Sequence, residues 1–159
     1  MAEKLNSMRL LEQKKVSFTV RQFPDTIHSA DGVADYFGLP HEMVYKTLVA
    51  LPANRGKPLL VMVAGSRELD LKLLAKAVGE KKVQMATKKE AEQLTGLQTG
   101  GISALALLHK NFRVFIDRPA LQLERVLVSA GKRGVNLELA VPDLVKITGA
   151  RAIAATGDE

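Results

Sequence analysis

Two apolar periods alternate along the chain, and they lay out the elements before any chemistry is considered. Leu5, Met8, Leu10 and Leu11 recur at helical spacing over residues 5–15, leaving Arg9, Glu12 and Lys14 for the other face. From residue 16 to 23 the period changes to two, with Phe18 and Val20 alternating with Thr19 and Arg21, and Pro24 ends that strand. Ser29 or Asp31 can cap a second helix that closes at Gly38. Pro40-His41-Glu42-Met43 reads as a tight turn feeding a β-favouring run over residues 44–51, and Asn54-Arg55-Gly56-Lys57 reads as a hairpin-type turn into a second apolar run over residues 59–64. Asp70 caps a helix striped by Leu71, Leu74, Ala75 and Val78, and Gly79 closes it. After a short strand at residues 83–86, Thr87 and Glu90 stand at capping-box spacing, and their helix ends at Gly96. Further strands follow at residues 112–117, 127–130 and 135–139, the last with Asn136 and Glu138 forming a polar face. Pro142 suits the first position of a last helix, residues 150–155 suit a final short strand, and Gly157-Asp158-Glu159 is a loose tail.

About seven strands and about five helices, unevenly mixed and joined in places by hairpin-length links, predict an α+β domain with a mixed or antiparallel sheet. One domain over residues 1–159 is expected, with no repeat, linker or low-complexity run. One residue breaks the pattern. In the 44–51 strand, Lys46 shares a face with Val44, Leu48 and Ala50. An edge-strand lysine that discourages aggregation is the bland explanation. A glycine-rich stretch about fifty residues on changes the picture: Thr95, Gly96, Thr99, Gly100, Gly101, Ile102 and Ser103 lie between a helix and a strand. A lysine near a loop of backbone N–H groups holds an anion or polarises a carbonyl.

Composition removes several function classes. The chain has no cysteine, so disulfides, thiolate metal sites and a cysteine nucleophile are excluded. His28, His41 and His109 are too far apart in sequence for a helical metal pair, so neither a metal nor an organic cofactor is expected. No apolar run approaches the ~20 residues of a membrane span, and the start, Met1-Ala2-Glu3-Lys4, lacks a signal-peptide core. A cytoplasmic protein with no membrane partner is the expectation. A net charge of +6 shifts the balance towards a polyanionic partner, most simply nucleic acid.

The usual catalytic signatures are missing: there is no Gly-x-Ser-x-Gly, no Walker A and no dinucleotide fingerprint. Ser103 has His109 six residues on, more simply read as a surface histidine. The candidates that remain are Lys46, Thr47, the loop from Thr99 to Ser103, Ser129 and the turn Gly131-Lys132-Arg133-Gly134. For each glycine the bland explanation is turn geometry, and for Lys132-Arg133 a solvated turn.

Taken together, Val44-Tyr45-Lys46-Thr47-Leu48, Thr95-Gly96 with Gly100-Gly101-Ile102-Ser103, Phe115-Ile116-Asp117, and Ser129-Ala130-Gly131-Lys132-Arg133-Gly134 with Leu137-Glu138-Leu139 and Asp143-Leu144 resemble the YbaK/EbsC family. These are free-standing aminoacyl-tRNA deacylases related to the editing domain inserted in bacterial prolyl-tRNA synthetases. The resemblance runs over essentially the whole chain. It implies a mixed, partly barrel-like twisted sheet surrounded by helices. It also implies trans-editing hydrolysis of a mischarged aminoacyl ester on tRNA, typically cysteine on proline tRNA, with prolyl-tRNA synthetase as a candidate partner. Lys46 matches the family's essential lysine, implied to hold the terminal phosphate or ribose of the acceptor end. Gly101 and its neighbours match the loop implied to meet the ester, while Thr47 and Ser129 match pocket positions. In YbaK-type members the substrate's own thiol is implied to attack, and this chain supplies no cysteine of its own.

Four departures bear on specificity. Phe23 stands where a Tyr is common, Ser29 where a Phe is common, Ala104 where a Pro follows the loop serine, and Asn136 where an acid is common. Two alternatives therefore stand beside the cysteine reading. One keeps the chemistry but removes alanine or another small amino acid. The other is a non-catalytic module that binds tRNA or a synthetase.

Overall fold

The computed structural model describes residues 4–157. The expected tail at Asp158 and Glu159, and the opening Met1-Ala2-Glu3, lie outside the described residues. The elements run α1 (Asn6–Gln13), β1 (Phe18–Gln22), α2 (Ala30–Phe37), a 3₁₀ turn at His41–Met43, β2 (Tyr45–Pro52), β3 (Leu59–Ala64), α3 (Leu71–Val78), β4 (Val83–Met85) and α4 (Lys88–Thr95). They continue with β5 (Arg113–Asp117), a 3₁₀ turn at Arg118–Gln122, β6 (Arg125–Lys132), β7 (Val135–Ala140), α5 (Val141–Thr148) and β8 (Arg151–Ile153).

The α+β class holds, but a single partly barrel-like sheet does not form. The described strands make two sheets, an antiparallel three in the order β1-β7-β6 and a mixed five in the order β4-β2-β3-β5-β8. In the larger sheet β2 runs antiparallel to β3 and β4, whereas β3–β5 and β5–β8 are parallel. The sheets meet at one parallel bridge, Val44 with Leu127. The barrel stays open because β2 divides its outer edge: β4 takes it at Ala50–Pro52, and β6 touches it only at Val44.

β3 is buried along its whole length. Leu60, Met62 and Ala64 join the core between the sheets, with Leu137, Leu139, Val126 and Val128 from the smaller sheet. Leu59, Val61 and Val63 face the other way, onto Leu74, Ala75 and Val78 of α3. Burial on both faces explains why this strand reads as an unbroken apolar run. A third cluster, Phe23, Val33, Ala34, Val44 and Leu127, packs α2 over the seam between the sheets.

Helix ends follow the sequence signals. The side chains of Ser29, Asp70 and Thr87 accept the N–H groups of Gly32, Leu73 and Glu90, and Glu90 completes the capping box. Each cap is worth about 1 kcal/mol. Pro142 differs slightly from expectation, since α5 begins one residue earlier at Val141. A larger correction concerns β7. Asn136 is buried, so its polar side chain marks the wall of an internal space and not a wet sheet face.

Candidate functional site

The seam between the sheets opens into a cavity of about 580 Å³. On the outer edge of β2, Ala86 N–H bonds to Val49 C=O at one end and Val44 bridges Leu127 at the other. Between them, around Thr47, no described strand pairs with that outer edge of β2. The cavity occupies that gap. Lys46, Thr47, Thr99, Gly100, Ile102, Ser129, Asn136, Phe23 and Ser29 all line it. Gly101, Ser103 and Gly131 do not belong to its lining.

The two lips carry different groups. From the larger sheet, Lys46 reaches the carbonyl of Gly65 at 3.4 Å. That long bond leaves most of the ammonium's donor capacity for something else. β4 takes the outer edge of β2 only at Ala50–Pro52, so Lys46 lies where that edge is unpaired. Its neighbour Thr47 is half-buried, with no side-chain hydrogen bond among the described residues. From the smaller sheet, Ser129 and Asn136 are cross-strand partners of β6 and β7. Ser129 Oγ accepts the Gly131 N–H at 3.1 Å, which leaves its proton free to donate. The ladder slips between Ser129 and Lys132, and Gly131 at φ +111° makes that bulge.

The glycine loop forms the roof and is held from two directions. Glu92 accepts the Thr99 N–H at 2.8 Å, and Arg133 Nε donates to the Thr99 carbonyl at 2.6 Å. The Thr99 N–H bond is the main reason the Glu92 carboxyl sits below the usual range. Lys132-Arg133 is therefore more than a solvated turn. Gly101 packs on this turn: a Cβ there would lie 2.9 Å from Arg133 N and 3.1 Å from the Lys132 carbonyl carbon. Its own N–H bonds to Gln98 C=O at 2.8 Å. The donors left in the roof are the N–H groups of Gly100 and Ile102, which have no partner among the described residues. Ser103 is buried, and its Oγ accepts the Ala106 N–H, so it closes the following turn.

Several lining residues carry no signal in the sequence pattern. Gly65 seats the start of α2, since a Cβ there would meet Ala30 Cβ at 2.5 Å and Asp31 Oδ1 at 3.1 Å. Asp31, His28 and Lys88 also line the space. His28 Nε2 donates to Asp25 C=O at 2.8 Å, and no hydrogen bond joins this ring to a serine among the described residues. Outside the cavity, His41 sits between Asp35 Oδ1 at 2.7 Å and Asp31 Oδ1 at 2.9 Å. The Asp35 bond first and the Asp31 bond second raise its pKa. Tyr45 lines the cavity wall with its hydroxyl buried and unpartnered. Burial first, and then the Asp117 charge, push this phenol up to about 12, against a smaller lowering by Arg67. Among the described residues no group of three or more potential metal ligands exists. No helix among them is long and apolar enough to cross a membrane.

The arrangement offers an ammonium and free N–H donors around a mostly apolar space with neutral hydroxyl and amide groups. It suits a substrate that brings an anionic or carbonyl-bearing end and part of its own chemistry. Comparison with known proteins agrees. The model of the aminoacyl-tRNA editing domain matches residues 25–147. A protein of Enterococcus faecalis, provisionally named Cys-tRNA(Pro)/Cys-tRNA(Cys) deacylase EbsC, is 38% identical over 148 residues, 92% of this chain and 89% of its own. Proline–tRNA ligase of Thermodesulfovibrio yellowstonii is 30% identical over 117 residues, which span 73% of this chain and 19% of the ligase. A crystal structure provisionally described as a trans-editing enzyme for prolyl-tRNA synthetase superposes with a TM-score of 0.83 at 22% identity, covering 99% of both chains. Another, of a hypothetical protein, gives 0.85 at 23% identity over 94% of this chain and 97% of its own. The chain belongs to the aminoacyl-tRNA editing domain family.

Proposed function

We propose that the protein is a trans-editing deacylase that removes a mischarged amino acid, cysteine first, from proline tRNA. The observation that carries this is the cavity at the sheet seam, where Lys46 and the Gly100–Ile102 roof face Thr47, Ser129 and Asn136. Lys46 holds the phosphate or ribose of the acceptor end through its free N–H donors. The N–H groups of Gly100 and Ile102 are the donors assigned to the developing oxyanion in this reading. Ser129, Asn136 and Thr47 orient the aminoacyl group.

No protein nucleophile is required when the substrate is cysteinyl. Its thiol attacks its own ester carbonyl, an S–C bond forms, the C–O bond to ribose breaks, and the ribose oxygen takes the proton. Water then opens the thioester. Holding sulfur over carbonyl makes the attack intramolecular, which offsets the strain of the four-membered thiolactone that forms. A substrate without a thiol needs a positioned water. Asn136, paired with Ser129, offers that water an amide in place of a carboxylate, so a base would have to come from Asp31 or His28 across the space. This favours cysteine over alanine. The cytoplasm, where tRNA is charged, is the proposed location, and prolyl-tRNA synthetase the proposed partner for tRNA identity.

The test is deacylation of cysteinyl- and alanyl-tRNA for proline by wild type and Lys46→Ala. Loss of cysteine only, abolished in the folded variant, is the expected result. Unchanged turnover by Lys46→Ala removes the lysine from the mechanism, and loss of alanine at the same rate removes thiol attack. Neither ester cleaved faster than in buffer, with tRNA still bound, leaves the non-catalytic module.

A further inference from the structure

Four exposed lysines flank β4, whose last residue, Met85, lines the cavity. Lys81 and Lys82 precede β4, while Lys88 and Lys89 are the first residues of α4. None has an ion-pair partner among the described residues. The acids nearby are committed elsewhere. Glu80 pairs with Arg113 at 2.9 Å, Glu90 closes the capping box on Thr87, and Glu92 takes the Thr99 N–H. Lys88 acts on Glu92 only from beyond ion-pair distance.

Helix stability does not account for Lys88 and Lys89. They occupy the first turn of α4, where the dipole and free N–H groups disfavour cations by about 0.3–1 kcal/mol. Met85, Ala86 and Lys88 line the cleft, and Lys81, Lys82 and Lys89 continue the positive charge outside its lining. Lys82 and Lys88 are six residues apart, at most about 20 Å of extended chain, room for several phosphates of one strand.

We propose that this rim, Lys81 and Lys82 at one end of β4 and Lys88 and Lys89 at the other, is the track for the phosphodiester backbone of the tRNA acceptor strand. The proposal rests on the deacylase reading in taking tRNA as the polyanion. The strand follows the exposed edge of β4, and its 3′ end turns into the cavity past Lys88 towards Lys46. Counterion release makes such binding steeply salt-dependent, each phosphate neutralised adding about 0.9 to the log–log slope.

The experiment measures the affinity of uncharged proline tRNA across about 50–200 mM salt. It compares wild type, Lys81→Gln with Lys82→Gln, Lys88→Gln with Lys89→Gln, and a control of Lys14→Gln with Lys15→Gln. Each rim pair is expected to flatten the slope by about two, with the control unchanged. In deacylation the Lys81/Lys82 pair raises KM and leaves kcat alone. Rim slopes equal to wild type in a protein that still deacylates overturn the track and leave the deacylase standing; the lysines then only guard a sheet edge. Flattened slopes in a protein that cleaves no ester keep the track and discard the deacylase.

Discussion

At the scale of single residues the cavity wall holds one group that does no structural good. The Tyr45 hydroxyl is buried with no partner, and an unmet hydroxyl in a core costs about 1–3 kcal/mol. Tyr45→Phe is therefore expected to melt no lower than wild type in a thermal scan, and a clear drop would show that the hydroxyl has a bound partner. Lys46 was legible from its strand because it is the wrong residue for a core-facing position. Its neighbour in space, Gly65, was not legible. Only the arrival of α2, with Ala30 Cβ 2.5 Å from where a Cβ would stand, makes a glycine necessary there. Asn136 was legible as a polar position, but alternation alone separates two faces without saying which one borders a cavity.

At the scale of elements, two polar clamps position what surrounds the cavity. Glu92 and Arg133 act on the same peptide, that of Thr99. Glu92→Ala is expected to lower kcat/KM by roughly tenfold. The Arg133→Ala loss should not multiply with it, since both release one loop; fully independent losses in the double variant would mean that the two residues act separately. Because the folded-state pKa of Glu92 is depressed, its hold is present above the ordinary glutamate range and is lost as pH falls through the lowered value. The second clamp is His41, which ties the 3₁₀ turn ahead of β2 to Asp31 and Asp35 of α2. Its pKa is raised, so the sign is opposite. The contribution is complete below about pH 6.5 and disappears as pH climbs through the raised value. His41→Gln is expected to flatten the melting temperature between acid and alkaline buffers; an unchanged pH profile would exclude the clamp. Neither clamp could be read in advance, because each joins segments through side chains with no fixed spacing.

At the scale of the molecule, the order of helices and strands was legible almost throughout, because caps and periodicities are local. The split into two sheets was not, because it depends on which strands share the edge of β2. The C-terminal strand shows the same dependence on distant partners. Buried Asp117 accepts Ala155 N–H at 2.8 Å and Thr156 Oγ1 at 2.5 Å. Arg67 also reaches Thr156 Oγ1, at 3.1 Å. Asp117→Ala leaves these donors unmet and is expected to destabilise the protein by about 2–4 kcal/mol in denaturant unfolding. A loss below about 0.5 kcal/mol, the size of an ordinary surface change, would show that this junction does not hold the terminus.

The seam also divides responsibilities. Lys46 and Thr47 come from the five-stranded sheet, whereas Ser129 and Asn136 belong to the β6–β7 hairpin of the other. The ladder that joins the sheets is a single bridge at Val44 and Leu127. Under the proposed reading, grip on the nucleic acid falls to Lys46 of the larger sheet, and choice of amino acid is shared between Thr47 beside it and the hairpin across the seam. On that reading, substitutions in the hairpin are expected to retune the choice while Lys46, rooted in the other sheet, keeps its grip.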